Sequence, residues 1–205
     1  AAARVGPTSL VNVIVVAFDM CSSSNMIEEL TLRSDMRRFQ RVLLSTKQYL
    51  MKQQEKVAFD TYKFTGDGWI LLFPERTEGR LLLGFMKGLC VFFRAKVFQE
   101  VVRHLDTPPR CTGLTFGIEK GPLVRMLMYG RVEYVGRALN IACRLQSAVG
   151  DKGGSPAYKA LVSNTVFNDY LAPARGFRVH EVKRTLRNIR DGATFRCRKV
   201  ELLGR

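Results

Sequence analysis

Histidine is nearly missing from this chain, and its cysteines never pair at close spacing. Only His104 and His180 occur, and the five cysteines stand at 21, 90, 111, 143 and 197 with no Cys-x-x-Cys among them. That scatter excludes a zinc site built from cysteine and histidine. An odd number of unpaired cysteines fits a reducing cytoplasm, where most of them serve as small core residues. Also missing is any uncharged apolar run of about eighteen residues, so no segment reads as a membrane span. The longest early apolar run ends in Asp19 and lacks a basic leader, so it does not read as a signal peptide. Internal repeats and low-complexity tracts are absent as well. The first residue is not Met, which leaves room for an upstream segment.

Acidic residues are the scarcer charge: 18 Asp and Glu face 33 Lys and Arg, for a formal net charge of +15. Such an excess attracts anions, whether nucleotides, nucleic acid or acidic membranes. Charge alone favours nucleic acid slightly, because a small nucleotide does not require so much of it. The basic residues gather late, in Lys183-Arg184-Thr185-Leu186-Arg187-Asn188-Ile189-Arg190 and Arg196-Cys197-Arg198-Lys199.

What is present is apolar material for one well-filled domain over 1–205, since 46% of the 205 residues are hydrophobic. Residues 11–18 read as a central strand, apolar on both faces. Residues 26–54 read as helix in two pieces, with Ser34 as the cap of the second and Phe39, Val42, Leu43, Leu50 and Met51 as its core stripe. Strands are expected at 57–64 and 69–73, joined by the tight turn Gly66-Asp67-Gly68. Helix follows over 77–104, burying Leu81, Leu82, Phe85, Leu89, Phe92 and Phe93, and Asp106-Thr107-Pro108-Pro109 ends it. A strand over 111–118, a turn over 117–122, a partner strand over 123–129, a helix over 135–149 and a loop over 150–156 complete the pattern before a mixed tail. This order predicts an α+β fold, a ferredoxin-like β-α-β-β-α-β sheet with covering helices and C-terminal additions.

Two aspartates stand out within that frame. Asp19 ends the first apolar strand, and Asp67 sits between two glycines in the next hairpin. A carboxylate at the end of a buried strand is costly unless a cation meets it. Two of them on neighbouring strands suggest a divalent site of hard oxygen ligands, suited to Mg²⁺ or Mn²⁺ and through the metal to a polyphosphate.

Four blocks in order carry a family resemblance across most of the chain: Phe18-Asp19-Met20, Lys63-Phe64-Thr65-Gly66-Asp67, Gly117-Ile118-Glu119-Lys120-Gly121-Pro122, and the segment from Gly136 to Leu145 that holds Asn140 and Arg144. Together they resemble the catalytic domain of class III nucleotidyl cyclases. Within that family, Tyr62-Lys63-Phe64-Thr65-Gly66-Asp67-Gly68-Trp69 looks most like the pyrimidine cyclases of the bacterial Pycsar anti-phage systems.

The resemblance implies an activity and a set of roles. A nucleoside triphosphate is converted to its 3′,5′-cyclic monophosphate and pyrophosphate. Asp19, Met20 and Asp67 hold two divalent ions, Mn²⁺ or Mg²⁺. Main-chain amides of Cys21, Ser22, Ser23 and Ser24 cradle the phosphates at a helix start. Asn140 orients the ribose, and Arg144 stabilises charge growing on the α-phosphate. Lys63 and Glu133 read the base. Lys183 or Arg184 aligns with a phosphate-binding lysine, although the usual glycine-rich turn is absent there. The site is shared between two chains, so a homodimer forms two equivalent sites. A downstream effector would respond to the cyclic product without touching the enzyme.

Two departures bear on the substrate. Arg137 stands where the family usually has an acidic or small polar residue, and Ser22-Ser23 replaces a glycine–aromatic pair. A donor–acceptor pair such as Lys63 and Glu133 can meet adenine, cytosine or uracil, so hydrogen-bond chemistry leaves the base open. Tyr62, Trp69 and Tyr134 are bulky enough to narrow the pocket. The resemblance favours a pyrimidine, UTP before CTP. Competing readings are an adenylate cyclase using ATP, a catalytically inactive nucleotide-binding module, and a nucleic-acid-binding sheet, the last leaving Asp19 and Asp67 unexplained.

Overall fold

A computed structural model of the protein describes residues 8–150, 155–173 and 176–203. The first strand, β1 (Thr8–Met20), is followed by helices α1 (Ser23–Leu32) and α2 (Arg37–Gln54). The hairpin β2 (Asp60–Phe64) and β3 (Trp69–Pro74) leads into the long helix α3 (Gly79–Glu100). Next come β4 (Leu114–Met128), β5 (Arg131–Val135), α4 (Arg137–Ser147), β6 (Lys159–Ser163), a short helical segment over 164–171, and the closing hairpin of β7 (Arg178–Arg184) and β8 (Phe195–Glu201).

The strands form one sheet in the order β2-β3-β1-β4-β6-β8-β7, with β5 paired onto the far end of β4. Its first four strands, β2-β3-β1-β4, are antiparallel neighbours with helices between β1 and β2 and between β3 and β4. This is the expected ferredoxin-like unit. β6 adds to β4 in parallel, and β7 with β8 extends that edge.

The period-two alternation of β1 decides which layer covers which face. Ile14, Val16 and Phe18 point into a core shared with Leu71, Phe73 and the buried sides of α1, α2 and α3. Val15 and Ala17 point the other way, against Ala138 and Ala142 of α4. The far side of α4 packs Ile141 and Leu145 against Leu161, Leu186 and Cys197.

The expected turn over 117–122 is not a turn. It lies inside β4, which stays in register with β1 from Thr8↔Met126 to Met20↔Leu114. The glycines that suggested a bend serve close packing instead. A Cβ on Gly117 would lie 1.9 Å from the Ala142 carbonyl and 2.3 Å from the Gln146 amide, so its absence lets α4 press onto the sheet. The chain reverses later, at Tyr129 (φ 48°) and Gly130 (φ 76°), both in the positive-φ conformation that a two-residue hairpin turn requires.

Smaller corrections follow the same physics. α2 begins at Arg37 rather than at a Ser34 cap, because Ser34 (φ 55°) is a left-handed residue closing the link from α1. Met51 and Leu81 face outward, since they sit beyond the arc that the sheet covers. β2 begins at Asp60, and Val57 and Phe59 before it are buried without being strand. Val135 belongs to β5, with α4 starting two residues later. Of the loop expected over 150–156, residues 151–154 lie outside the described residues.

Candidate active site

Asp19 is the next residue after Val15 and Ala17 on the α4 side of β1, so alternation directs its carboxylate out of the main core. The β2–β3 hairpin brings Asp67 to it. Phe18 and Ala17 pair with Trp69 and Ile70, placing the hairpin turn beside the end of β1. The turn closes with the Thr65 amide donating to the Gly68 carbonyl at 3.0 Å. Gly68 is required by proximity: a Cβ there would lie 1.9 Å from the Phe18 carbonyl and 2.9 Å from Asp19 Oδ1.

The pair is electrostatically unfinished. Asp19 Oδ1 is buried and has no hydrogen-bond partner. Burial first, then the adjoining Asp67 carboxyl, push Asp19 up to about 7. Ser23, itself buried at the first turn of α1, donates its hydroxyl to Asp67 Oδ2. Two acids forced together with an orphaned oxygen form a cradle for a cation. Among the described residues no group of three or more His, Cys, Asp or Glu assembles. A cation here would therefore rest on these two carboxylates and complete its shell with main-chain, water or ligand oxygens, which suits Mg²⁺ or Mn²⁺.

Met20 ends β1 opposite Leu114, and its side chain is buried in the main core. The chain then enters α1 through Ser22, which is left-handed (φ 58°) and makes no side-chain cap. The Cys21 amide donates to the Gly113 carbonyl at 2.9 Å and is not free for a phosphate. The Met26 amide makes the first intrahelical bond, to the Ser22 carbonyl at 3.2 Å, which leaves the amides at Ser23, Ser24 and Asn25 open at the α1 start beside the carboxylate pair.

A second group assembles around β2, β5 and α4. Lys63 Nζ stands 3.9 Å from Glu133 Oε2, and the Tyr62 hydroxyl donates to the same Glu133 oxygen at 2.6 Å. Tyr62 in turn accepts from the Tyr134 amide at 3.1 Å, and the two rings meet edge to face with centroids 5.0 Å apart. These residues line an open depression of about 850 Å³ that also reaches Tyr129, Leu139 and Asn140. Trp69 is not part of it: its ring is buried against Phe18 and Phe64.

Asn140 and Arg144 project from one side of α4, both exposed, while Ala138, Ile141, Ala142 and Leu145 are buried. They share a small cleft of about 250 Å³ with Ser147, Asn188 and Ile189, so the late basic stretch does arrive beside α4. Lys183 is exposed on β7, the edge strand at the opposite end of the sheet from β2. Arg184 is buried and committed to structure, its Nε donating to the Ala148 carbonyl at 3.0 Å and Nη1 to the Lys183 carbonyl at 2.9 Å. Arg137 reaches the Arg190 carbonyl at 3.3 Å, tying the start of α4 to the same stretch.

Asp19 with Asp67 and Lys63 with Glu133 are thus each brought together, and Asn140 joins the second pair. Neither the depression holding Lys63, Glu133 and Asn140 nor the cleft holding Arg144 includes Asp19 or Asp67. Sequence reasoning missed two side-chain contacts, Ser23 on Asp67 and Tyr62 on Glu133. Three consecutive serines at a helix start were the only signal for the first, and nothing local signals the second.

No protein-family model matches the sequence, and no curated protein matches it. Solved structures do. The chain is similar to the adenylyl cyclase CyaB from P. aeruginosa, with a TM-score of 0.72 at 16% identity over 97% of this chain and 100% of that one. It is similar to the guanylyl cyclase Cya2, with a TM-score of 0.71 at 16% identity over 98% and 96%. A third neighbour is the adenylate/guanylate cyclase/hydrolase from Silicibacter pomeroyi, with a TM-score of 0.62 at 20% identity over 95% and 98%. The protein has the fold of the class III cyclase catalytic domains.

Proposed function

We propose that the protein is a metal-dependent nucleotidyl cyclase that converts a pyrimidine nucleoside triphosphate, UTP before CTP, to its 3′,5′-cyclic monophosphate and pyrophosphate. The observation that carries this reading is the Asp19–Asp67 pair: two adjoining carboxyls, one buried oxygen without a partner, and Asp19 pushed up to about 7. Bound divalent ions would supply acidification of the ribose 3′-hydroxyl and neutralisation of the triphosphate. Ser23 holds the Asp67 carboxylate in place, and the amides at the α1 start face the phosphates.

The remaining roles fall to the second group. Lys63 donates to the base and Glu133 accepts from it, with the Tyr62 hydroxyl fixing the carboxylate. The Tyr62–Tyr134 pair fills space beside them, which favours the smaller base. Asn140 would orient the ribose. Arg144, permanently charged, would stabilise the oxygens of the α-phosphate as the 3′-oxygen attacks and pyrophosphate leaves.

The separation of the carboxylate pair from the depression and cleft that hold Lys63, Asn140 and Arg144 supports a homodimer, each site taking carboxylates from one protomer and the second group from its partner. The β4–β5 hairpin, with Leu127, Met128, Tyr129 and Val132 exposed beside the base depression, offers apolar surface for that contact. Phe18, Trp69, Phe73 and Phe116 on the inner strands are buried and out of reach of RNA bases, while Phe64 on the edge strand β2 stays half exposed. The family resemblance extends the reading to a cyclic pyrimidine messenger in bacterial anti-phage defence, acting in the cytoplasm.

The test is incubation with ATP, GTP, CTP and UTP separately, with Mn²⁺, and identification of products by mass. One dominant cyclic pyrimidine nucleotide is expected. A cyclic purine as main product would overturn the substrate while leaving the chemistry. No cyclic product from any of the four would overturn the activity.

A further inference from the structure

We propose that the outer face of the α2–α3 layer is a docking surface for an anionic lipid bilayer. α2 carries five basic residues and no acidic one, and α3 carries four basic residues against the single Glu100. Arg38 is paired with Asp35, and Arg41 and Lys96 share Glu100. Among the described residues Arg37, Lys47, Lys52, Arg80, Lys87 and Arg94 have no carboxylate at ion-pair distance. Both helices therefore present cations whose counter-charge the protein does not supply.

The face also exposes large apolar side chains at regular spacing. Leu44 and Met51 on α2 are 55% and 57% exposed, and Val91 and Phe98 on α3 are 47% and 56% exposed. Each pair is separated by two helical turns, so each marks one outward line. The helices run side by side in opposite directions. Arg41 meets Glu100 at one end, and Tyr49 stacks on Phe92 further along with centroids 4.5 Å apart. An open groove of about 720 Å³ between them is lined by Tyr49, Met51, Phe92, Lys52 and Lys96, with Glu55 its one carboxylate.

Cations alone would fit a nucleic acid, but phosphate contacts give no return for exposing Leu44, Met51, Val91 and Phe98. A bilayer takes both: its anionic headgroups meet the lysines and arginines, and its acyl boundary meets the apolar tips. Long basic side chains can lay their stems along the apolar surface while their charges reach the headgroups. No helix among the described residues is long and apolar enough to cross a membrane, so the contact is peripheral. The face lies on the opposite side of the sheet from Asp19 and α4, so docking leaves the candidate active site uncovered. The inference does not depend on the cyclase reading.

The experiment is co-sedimentation of the whole chain with phosphatidylcholine vesicles, with and without about one-third phosphatidylserine, at rising salt. Binding is expected only with phosphatidylserine, weakening as salt increases. The double variant Lys87→Glu with Arg94→Glu should lower partitioning at least about tenfold. Val91→Ser with Phe98→Ser should also lower it while retaining the salt response. Failure of the wild type to bind phosphatidylserine vesicles overturns the proposal, as does equal binding by the wild type and both variants. Binding of single-stranded RNA that the Val91/Phe98 variant leaves unchanged, without vesicle binding, would assign the face to nucleic acid. Self-association abolished by the variants, without vesicle binding, would assign it to a second copy.

Discussion

Asp19 carries a measurable penalty in the metal-free protein, and Asp19→Asn removes it. Its carboxyl titrates near 3.8 when solvated and at about 7 in the fold. The folded value is the higher one, so the folded state binds the proton more tightly. Stability is then full below the unfolded value and falls as pH rises from about 4 to about 7. At roughly 1.4 kcal/mol per pKa unit the full shift is an upper bound of about 4 kcal/mol, and because solvent still reaches Asp19 about half of that is expected. Urea unfolding in EDTA at pH 4 and pH 8 checks this. The wild type should lose about 2 kcal/mol more than Asp19→Asn over that interval. Mn²⁺ at pH 8 should stabilise the wild type well above the variant. Parallel pH dependences for the two proteins would refute the claim that burial, with the adjoining Asp67 carboxyl, holds the Asp19 proton.

Other perturbations read other parts of the site. Ser23→Ala should weaken cation affinity about tenfold by releasing Asp67, measured as terbium luminescence sensitised by Trp69, the single tryptophan, beside the hairpin. Tyr62→Phe should raise KM for the preferred triphosphate about tenfold with a smaller change in kcat, because Glu133 loses the donor that orients it. Gly117→Ala should cost about 3 kcal/mol or more in a thermal melt, since its methyl would meet the α4 backbone, whereas Gly130→Ala, with open space around it, should cost only about 1 kcal/mol through its positive φ.

Much of this arrangement is legible in the residues themselves. The unbroken apolar run from Ile14 to Phe18 gives a central strand covered on both faces, and Gly66-Asp67-Gly68 gives the hairpin that delivers the second acid. Four-residue spacing puts Asn140 and Arg144 on one side of α4. The misreadings share one cause. Gly117, Gly121 and Pro122 look like a turn because local preference says so, but the two glycines are there for a helix that packs across them from later in the chain. A local rule does not see that approach. The same limit hid the Tyr62 hydroxyl on Glu133, a contact across 71 positions, and the loss of the Cys21 amide to Gly113. Met51 and Leu81 fall on the core stripe by period yet are exposed, because helical period fixes a stripe but not how wide a covering it receives.

The shared site is tested most directly by mixing two inactive proteins. Asp67→Ala lacks a carboxylate and Arg144→Ala lacks the guanidinium, and each alone should give no cyclic nucleotide. In a mixed dimer both lesions fall in one site and the other site is intact. Random pairing makes half the dimers mixed, so about a quarter of wild-type activity should return. No recovery from confirmed mixed dimers would contradict the account.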